Sequence, residues 1–415
     1  MKATTRRSRR RYRKSAKNES QTTLEKNDVE ALTEKQPRSE QNNRNSVMID
    51  RETVQAESPW RVNGYFAHCK NTLHAKDVPL EARDPHTMTG YRSFGTLSVR
   101  DCIRTMFSSH NEIVDIWSHL LPALAFIAYF IYVFKDRAVV GNPEVYPLLC
   151  IAIGGITFHV GSALAHLFSC LSLRANHLCF YMDYAAISIY SLTAGQSFYF
   201  YSRPSRTEWT LISSPALYLC GNMVMCLLNM LLSCASRHKM RSIRFYVRTL
   251  LYVFKWMYDS MPPFLRVVTC SSTADCYPPA LTMLYLQTAF YAVAALVNAF
   301  RIPECWAPGT FDLIGRSHHI MHVFVTVAYY YCFQAGYMDM VGRAATLATL
   351  PQPTAFLTFG LLGILTVGNV IIGVLCARAW LVEEDWVGQT RGKYPVIYRR
   401  TGNYEQVNND ENVKK

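Results

Sequence analysis

Beyond residue 115 the chain alternates long apolar stretches with short polar ones, and eight stretches approach the roughly 19 residues that cross a hydrocarbon core. They are 116–134, 145–170, 180–201, 211–232, 245–264, 279–300, 318–333 and 355–379. The pattern predicts an all-α, multi-pass transmembrane helical bundle. The fifth stretch is the weakest, because it holds Arg248, Lys255 and Asp259, each costly at mid-bilayer unless paired. Lys255 and Asp259 are four apart, so a buried ion pair on one helix face is expected. Ahead of the first span, 98–107 has the spacing of a short interfacial helix. Ser98 caps it, Arg100 and Arg104 share a polar face, and Val99, Ile103 and Met106 face lipid.

Composition sharpens this division. Half of the 415 residues are apolar and only 18% are charged, yet residues 1–60 are polar, charged and nearly free of aromatics. They are expected to be a disordered basic cytoplasmic tail. A cytoplasmic segment, 61–113, follows it; then come a membrane core, 114–338, a linker with the eighth span, 339–381, and a cytoplasmic tail, 382–415. The first residues have no apolar core of the kind a cleavable signal peptide needs, so the first span is expected to target the chain. The run from Arg6 to Lys14 has the look of a nucleic-acid patch, but in a multi-span chain attraction to anionic membrane lipid or a sorting role is the better reading, and no nucleic-acid partner is expected.

Charge also orients the spans. The most basic loop, with Arg237, Lys239, Arg241 and Arg244, lies between the fourth and fifth spans, and the carboxyl tail is basic too. With the amino terminus inside, both are cytoplasmic, as the positive-inside rule asks. The thirteen cysteines form no CxxC framework and mostly sit in or beside spans. Cys270 and Cys276 instead share the polar loop after the fifth span, on the oxidising side, which leaves a local disulfide open.

In this orientation His166 near the end of the second span, Asp183 near the start of the third, and His318 and His322 at the start of the seventh all reach the cytoplasmic face. His318 and His322 stack on one helix face, and His166 offers a third imidazole from another helix. Three neutral imidazoles and an open position suit zinc, whose bound water ionises near neutrality. Asp183 could hold or deprotonate that water, and Ser162, one turn before His166, could orient a ligand or a substrate carbonyl. Blander readings stand beside these. His119 and His159 read as packed core histidines, His177 as a loop residue, and Asp183 as a cap of the third helix. His319 points about a hundred degrees from His318 and cannot easily share its metal.

These residues fall in ordered motifs. His110-Asn111-Glu112 with Asp115, Ile116, Trp117, His119 and Leu120 is similar to an HNExxNIWxHL signature, with Asp115 in the place of asparagine. Ser162, His166 and Asp183 match SxxxH followed by aspartate, and Ser317 to His322 matches SHQxxH, with His319 in the place of glutamine. Over about residues 90–345 the chain resembles the progestin and adipoQ receptors. The eighth span and the stretch 333–343 look more like the membrane progestin receptor branch. The resemblance implies a seven-helix core with a cytoplasmic amino terminus, and zinc held by His166, His318 and His322 with Asp183 and Ser162 beside it.

Three functions follow as expectations. The first is a plasma-membrane receptor for a progestin-like steroid or other lipid, signalling to a cytoplasmic protein, with a G protein left open. The second is a zinc-dependent intramembrane amidase similar to the alkaline ceramidases, with Asp183 as base and proton donor. The third is a structural zinc tying the second and seventh helices together. Glu112 stays outside the ligand set, since an acid in a first helical turn also suits the helix dipole.

Overall fold

The computed structural model describes residues 67–68, 72–137, 141–240, 243–270 and 272–391; the expected amino-terminal tail and the end of the carboxyl tail lie outside them. A short surface helix, α1 (Val99–Thr105), precedes α2 (Ile113–Phe134), α3 (Tyr146–Phe168), α4 (Leu173–Ser202) and α5 (Pro215–Lys239). There follow α6 (Arg244–Asp259), α7 (Met261–Thr269), α8 (Pro278–Phe300), α9 (Ser317–Gly342) and α10 (Leu361–Arg391). The sole sheet among the described residues is a two-residue parallel pair, Ala67–His68 with Ser108–Ser109.

Every expected span coincides with a helix, and the chain is an all-α, multi-pass membrane protein. Five helices are long and apolar enough to cross a membrane: α2, α3 with its leading turn, α5, α8, and the segment Phe356–Trp380 that includes most of α10. The helix α3 is the central one, with 67% of its most apolar window buried, against 17% in the last. The other expected spans, α4, α6 with α7, and α9, are the helices that bring polar groups into the interior.

Three boundaries differ from the sequence expectation. The third span begins at Leu173 rather than 180, because Ser172 caps it by accepting a bond from the Ala175 amide at 3.0 Å. His177 is therefore a buried helical residue, not a loop residue, and its Nδ1 accepts a 3.0 Å bond from Arg237 Nε. Asp183, a further turn and a half along, is no cap. The fifth span is two helices, since Pro262 and Pro263 lack the N–H groups that would bind the last carbonyls of α6. The last helix continues to Arg391, beyond the expected end of its span.

Local chemistry explains the remaining elements. Ser98 and Asp101 form a reciprocal capping box at α1, with the Asp101 amide on Ser98 Oγ at 3.2 Å. Val99 and Ile103 on that helix are exposed and Cys102 is buried. Inside the bundle, Lys255 reaches Asp259 at 2.5 Å, and Ser191 and Asn222 complete the carboxylate's bonding, so the expected ion pair is present. Close helix approach depends on small residues, as is usual in membrane bundles. A Cβ on Gly155 of α3 would fall 1.9 Å from the Tyr329 ring of α9, and one on Gly161 would fall 2.7 Å from Ala186 of α4. These two contacts let α3 touch both helices that supply the other candidate site residues.

At the end of the bundle where α9 finishes, Cys270 and Cys276 form a disulfide with Cα atoms 5.3 Å apart. Arg266 pairs with Asp339 at 2.8 Å and Arg343 with Asp275 at 2.5 Å. The start of α9 lies at the opposite end. Its 26 residues rise roughly 40 Å at about 1.5 Å each.

Candidate metal centre

The end of α3, the early turns of α4 and the first turns of α9 meet at that opposite end. His166, His318 and His322 each offer a ring nitrogen within 4.8 Å of the others. The ring of His166 lies 5.3 Å from each of the other two, and those two are 4.4 Å apart. His166 and His322 are buried and His318 is half-buried. One helical turn separates His318 from His322, so α9 alone sets their spacing, whereas His166 is brought in by the α3–α9 packing around Gly155.

Each of the two buried rings is held from behind. His166 Nδ1 contacts Glu112 Oε2 at 2.5 Å, and His322 Nδ1 contacts Ser118 Oγ at 3.0 Å and lies 3.7 Å from Asp115. With Nδ1 engaged, Nε2 is the donor each ring has left for the centre. Such carboxylate and hydroxyl backing fixes the tautomer and raises the basicity of a metal-binding imidazole. The His166 carbonyl is fixed too, by Arg92 Nη2 at 2.6 Å, while Arg92 Nη1 binds Leu167 O at 2.8 Å. A guanidinium here satisfies carbonyls that the end of α3 would leave open.

Asp183 faces the same space, beside Ser162 and His166. Its Oδ1 is buried without a hydrogen-bond partner, and so are Asp115 Oδ1 and His119 Nδ1. Buried polar atoms in this state are uncommon and need an explanation. A cation or a water bound among the three imidazoles supplies one. The donor set and the open carboxylate oxygens therefore fit a divalent ion that favours nitrogen.

Arg316, the residue before α9, is the charge the sequence reading missed. Its guanidinium binds Asp84 at 2.7 Å, Glu112 at 3.2 Å and Asp115, while Nε lies 3.0 Å from His319 Nε2. His319 is thus turned away from the cluster, and its Nδ1 accepts the Gly315 amide at 3.1 Å. Glu304 caps α9 by accepting from the Ser317 amide at 2.7 Å and from its hydroxyl. The sign of this network was available in sequence as a lone arginine next to Ser317 and two acids in the first motif. Outside the spans, His110 links the same motif to α1. Its Nδ1 accepts the Glu112 amide at 3.1 Å and its Nε2 bonds Thr105 O at 3.1 Å, which demands a neutral ring. Burial, with Arg92 nearby, pushes its pKa down to about 3.

The profile of the family described as haemolysin-III related matches residues 107–333, from the end of α1 to well inside α9. The chain belongs to this family, that of the progestin and adipoQ receptors. Among its relatives, membrane progestin receptor delta of Mus musculus is 31% identical over 317 residues, covering 72% of this chain and 88% of that protein. Membrane progestin receptor gamma-A of Danio rerio is 28% identical over 298 residues, with 68% and 86% covered. Membrane progestin receptor beta of Mus musculus is 30% identical over 286 residues, with 66% and 77% covered. The family match contains Glu112, Asp115, His166, Asp183, His318 and His322, so the whole constellation lies in the family's own membrane core.

Proposed function

We propose that the chain is a zinc-containing membrane receptor for a progestin-like steroid or another lipid-like ligand, with the metal held by His166, His318 and His322. The observation that carries the metal is the convergence of three imidazoles beside a buried carboxylate oxygen with no partner. The ligand class comes from the relatives' names. The amino terminus and the histidine end lie on the cytoplasmic side in this reading. It is supported by the basic loop beside α5 and by the disulfide at the other end, which belongs in an oxidising compartment. A ligand that shifts α3 against α9 would be felt at that end by a cytoplasmic signalling protein.

A second reading, hydrolysis of a ceramide-like amide, is favoured by the open oxygen of Asp183. When bound, zinc supplies Lewis acidity toward the oxygen of water or of an amide carbonyl. Asp183 Oδ1 accepts the proton of the attacking water and returns it to the leaving amine, and Ser162 donates to the carbonyl oxygen as charge grows there. Glu112 and Ser118 keep His166 and His322 from turning during this change. The two readings are compatible, since hydrolysis can itself produce a signal.

Metal analysis of purified protein tests the centre. Wild type should carry about one zinc per chain, and His318→Ala and His322→Ala should carry almost none. Saturable, competable progestogen binding at submicromolar concentration is then the expected result for the receptor, and its absence removes the steroid assignment. Ceramide turnover that is the same in wild-type and Asp183→Ala membranes removes the hydrolase.

A further inference from the structure

Three arginines at the histidine end of the bundle crowd one aromatic ring without a carboxylate among them. Arg301, directly after α8, lies 3.4 Å from the Phe245 ring centre, and Arg248 and Arg244 lie 4.9 and 5.5 Å from it. Among the described residues none of the three forms an ion pair, and two of the nearby acids are engaged elsewhere. Asp84 is bound to Arg316 and Glu304 to Ser317. Arg244 is left with weak bonds to the carbonyls of Glu81 and Arg83, at 3.5 and 3.4 Å, and Arg248 with the Tyr184 hydroxyl and the Arg244 carbonyl. Arg301 Nη2 is buried with no partner at all. Burial also lowers the pKa of Arg301, to about 10.

The surroundings of this cluster are apolar and exposed. Tyr246, Leu250, Phe254 and Met257 form an outward stripe along α6, and Phe300 and Leu296 form one along α8. Both stripes start beside the arginines and run toward the other end of the bundle. A guanidinium cluster at headgroup depth above two lipid-facing stripes matches an amphiphile with an anionic head and acyl chains. Arginine forks pair with phosphate oxygens in two-pronged, charge-assisted bonds.

We infer that Arg244, Arg248 and Arg301 bind the phosphate headgroup of an anionic phospholipid of the leaflet at the histidine end, with its chains against the α6 and α8 stripes. The three arginines are neither candidate metal ligands nor their backing groups; Arg248 is the one whose charge reaches Asp183. The phosphate clamps the end of α8 to the start of α6 and completes the bonding that Arg301 lacks.

Native mass spectrometry of the purified full-length protein tests this with phosphatidic acid and phosphatidylcholine of identical chains. Wild type should retain phosphatidic acid at about a tenfold lower concentration than phosphatidylcholine, a difference of about 1.4 kcal/mol. Arg301→Gln should narrow the gap severalfold, and the Arg244→Gln/Arg248→Gln/Arg301→Gln variant should close it. Arg301→Gln removes no side-chain hydrogen bond seen in the protein, only the contact with the Phe245 ring, so it keeps the test valid if the triple variant does not fold. Equal retention of the two lipids by wild type overturns the inference, as does an undiminished gap in Arg301→Gln. Displacement of the lipid by millimolar inorganic phosphate points to a free-anion site and also overturns it. So does a gap that closes only when Arg6, Arg7, Arg9, Arg10, Arg11 and Arg13 of the tail are replaced by glutamine.

Discussion

The two ends of this bundle bury charge in opposite fashions. At the disulfide end, Asp339 has both oxygens filled, by Arg266 at 2.8 Å and Ser202 at 2.6 Å, and Arg343 is shared between Asp275 and the carbonyls of Tyr201 and Arg203. At the histidine end a single guanidinium, Arg316, serves Asp84, Glu112 and Asp115, and oxygens of Asp115 and Asp183 remain open. The first arrangement fills the oxygens of Asp339 and tethers helices, and what it leaves open is guanidinium N–H, at Arg266 Nε and Arg343 Nε. The second has carboxylate to spare beside three imidazoles, a combination that costs free energy unless something positive completes it. The filled and the open carboxylates are therefore separated along the helix axis.

Breaking the closed end should produce the largest change. Arg266→Met leaves the Asp339 carboxylate buried with one hydroxyl for company, and losing one partner of such a pair costs about 3–5 kcal/mol. Thermal unfolding in detergent should show a large drop, while zinc per folded chain stays the same. Replacing both partners, Arg266→Met with Asp339→Leu, should recover most of the loss. Loss of zinc from the folded Arg266→Met protein would show that the ends are not separable.

The open end should respond in the other quantity. Glu112→Gln keeps the shape of the residue but removes the charge behind His166 Nδ1, and lost backing of this kind weakens metal binding about 10–100-fold. Asp115→Asn should do less to zinc affinity, because Asp115 stands 3.7 Å from His322 where Glu112 stands 2.5 Å from His166. Competition with a chromophoric chelator measures both. Equal affinities for Glu112→Gln and wild type would mean that Glu112 serves Arg316 alone.

The same contrast explains what could be foreseen. Helix positions follow from runs of apolar residues, a local property, and all eight were legible. The early turns of α4 were not, because Arg174, Asn176 and His177 look like loop residues until Arg237, some sixty positions later, reaches two of them. That His166, Asp183, His318 and His322 meet at one end of the bundle was legible from alternating spans. Their support was not: Arg316 meets Asp115 across 201 positions, and no periodicity encodes such a pair. The break after Asp259 was written in Pro262 and Pro263, whose missing N–H groups a count of charges passes over.

The smallest effect belongs to the surface helix beside the open end, and it tests how far that end extends. The Ser98 hydroxyl accepts the Asp101 amide, and Asp101 answers with bonds to the Ser98 hydroxyl and amide at 2.6 and 3.3 Å. Removing the cap with Ser98→Ala should cost about 1 kcal/mol, seen as roughly fivefold faster amide exchange in residues 99–105. The bonds from Ser98 hold the Asp101 carboxyl below the usual carboxylate range. Asp101 is ionised and supports the helix at neutral pH. Its contribution is complete above the unfolded pKa and lost as pH falls through the lower folded one, so acid should lower the protection of these amides, relative to their intrinsic exchange rates, more in wild type than in Ser98→Ala. Because α1 connects to His166 through Thr105, by way of Arg92 and a backbone carbonyl and by way of His110 and Glu112, and not through Ser98, zinc affinity should change less than twofold, within the roughly 0.3–0.5 kcal/mol expected for uncoupled sites. A larger change would make the surface helix part of the centre and carry the open end out to the membrane face.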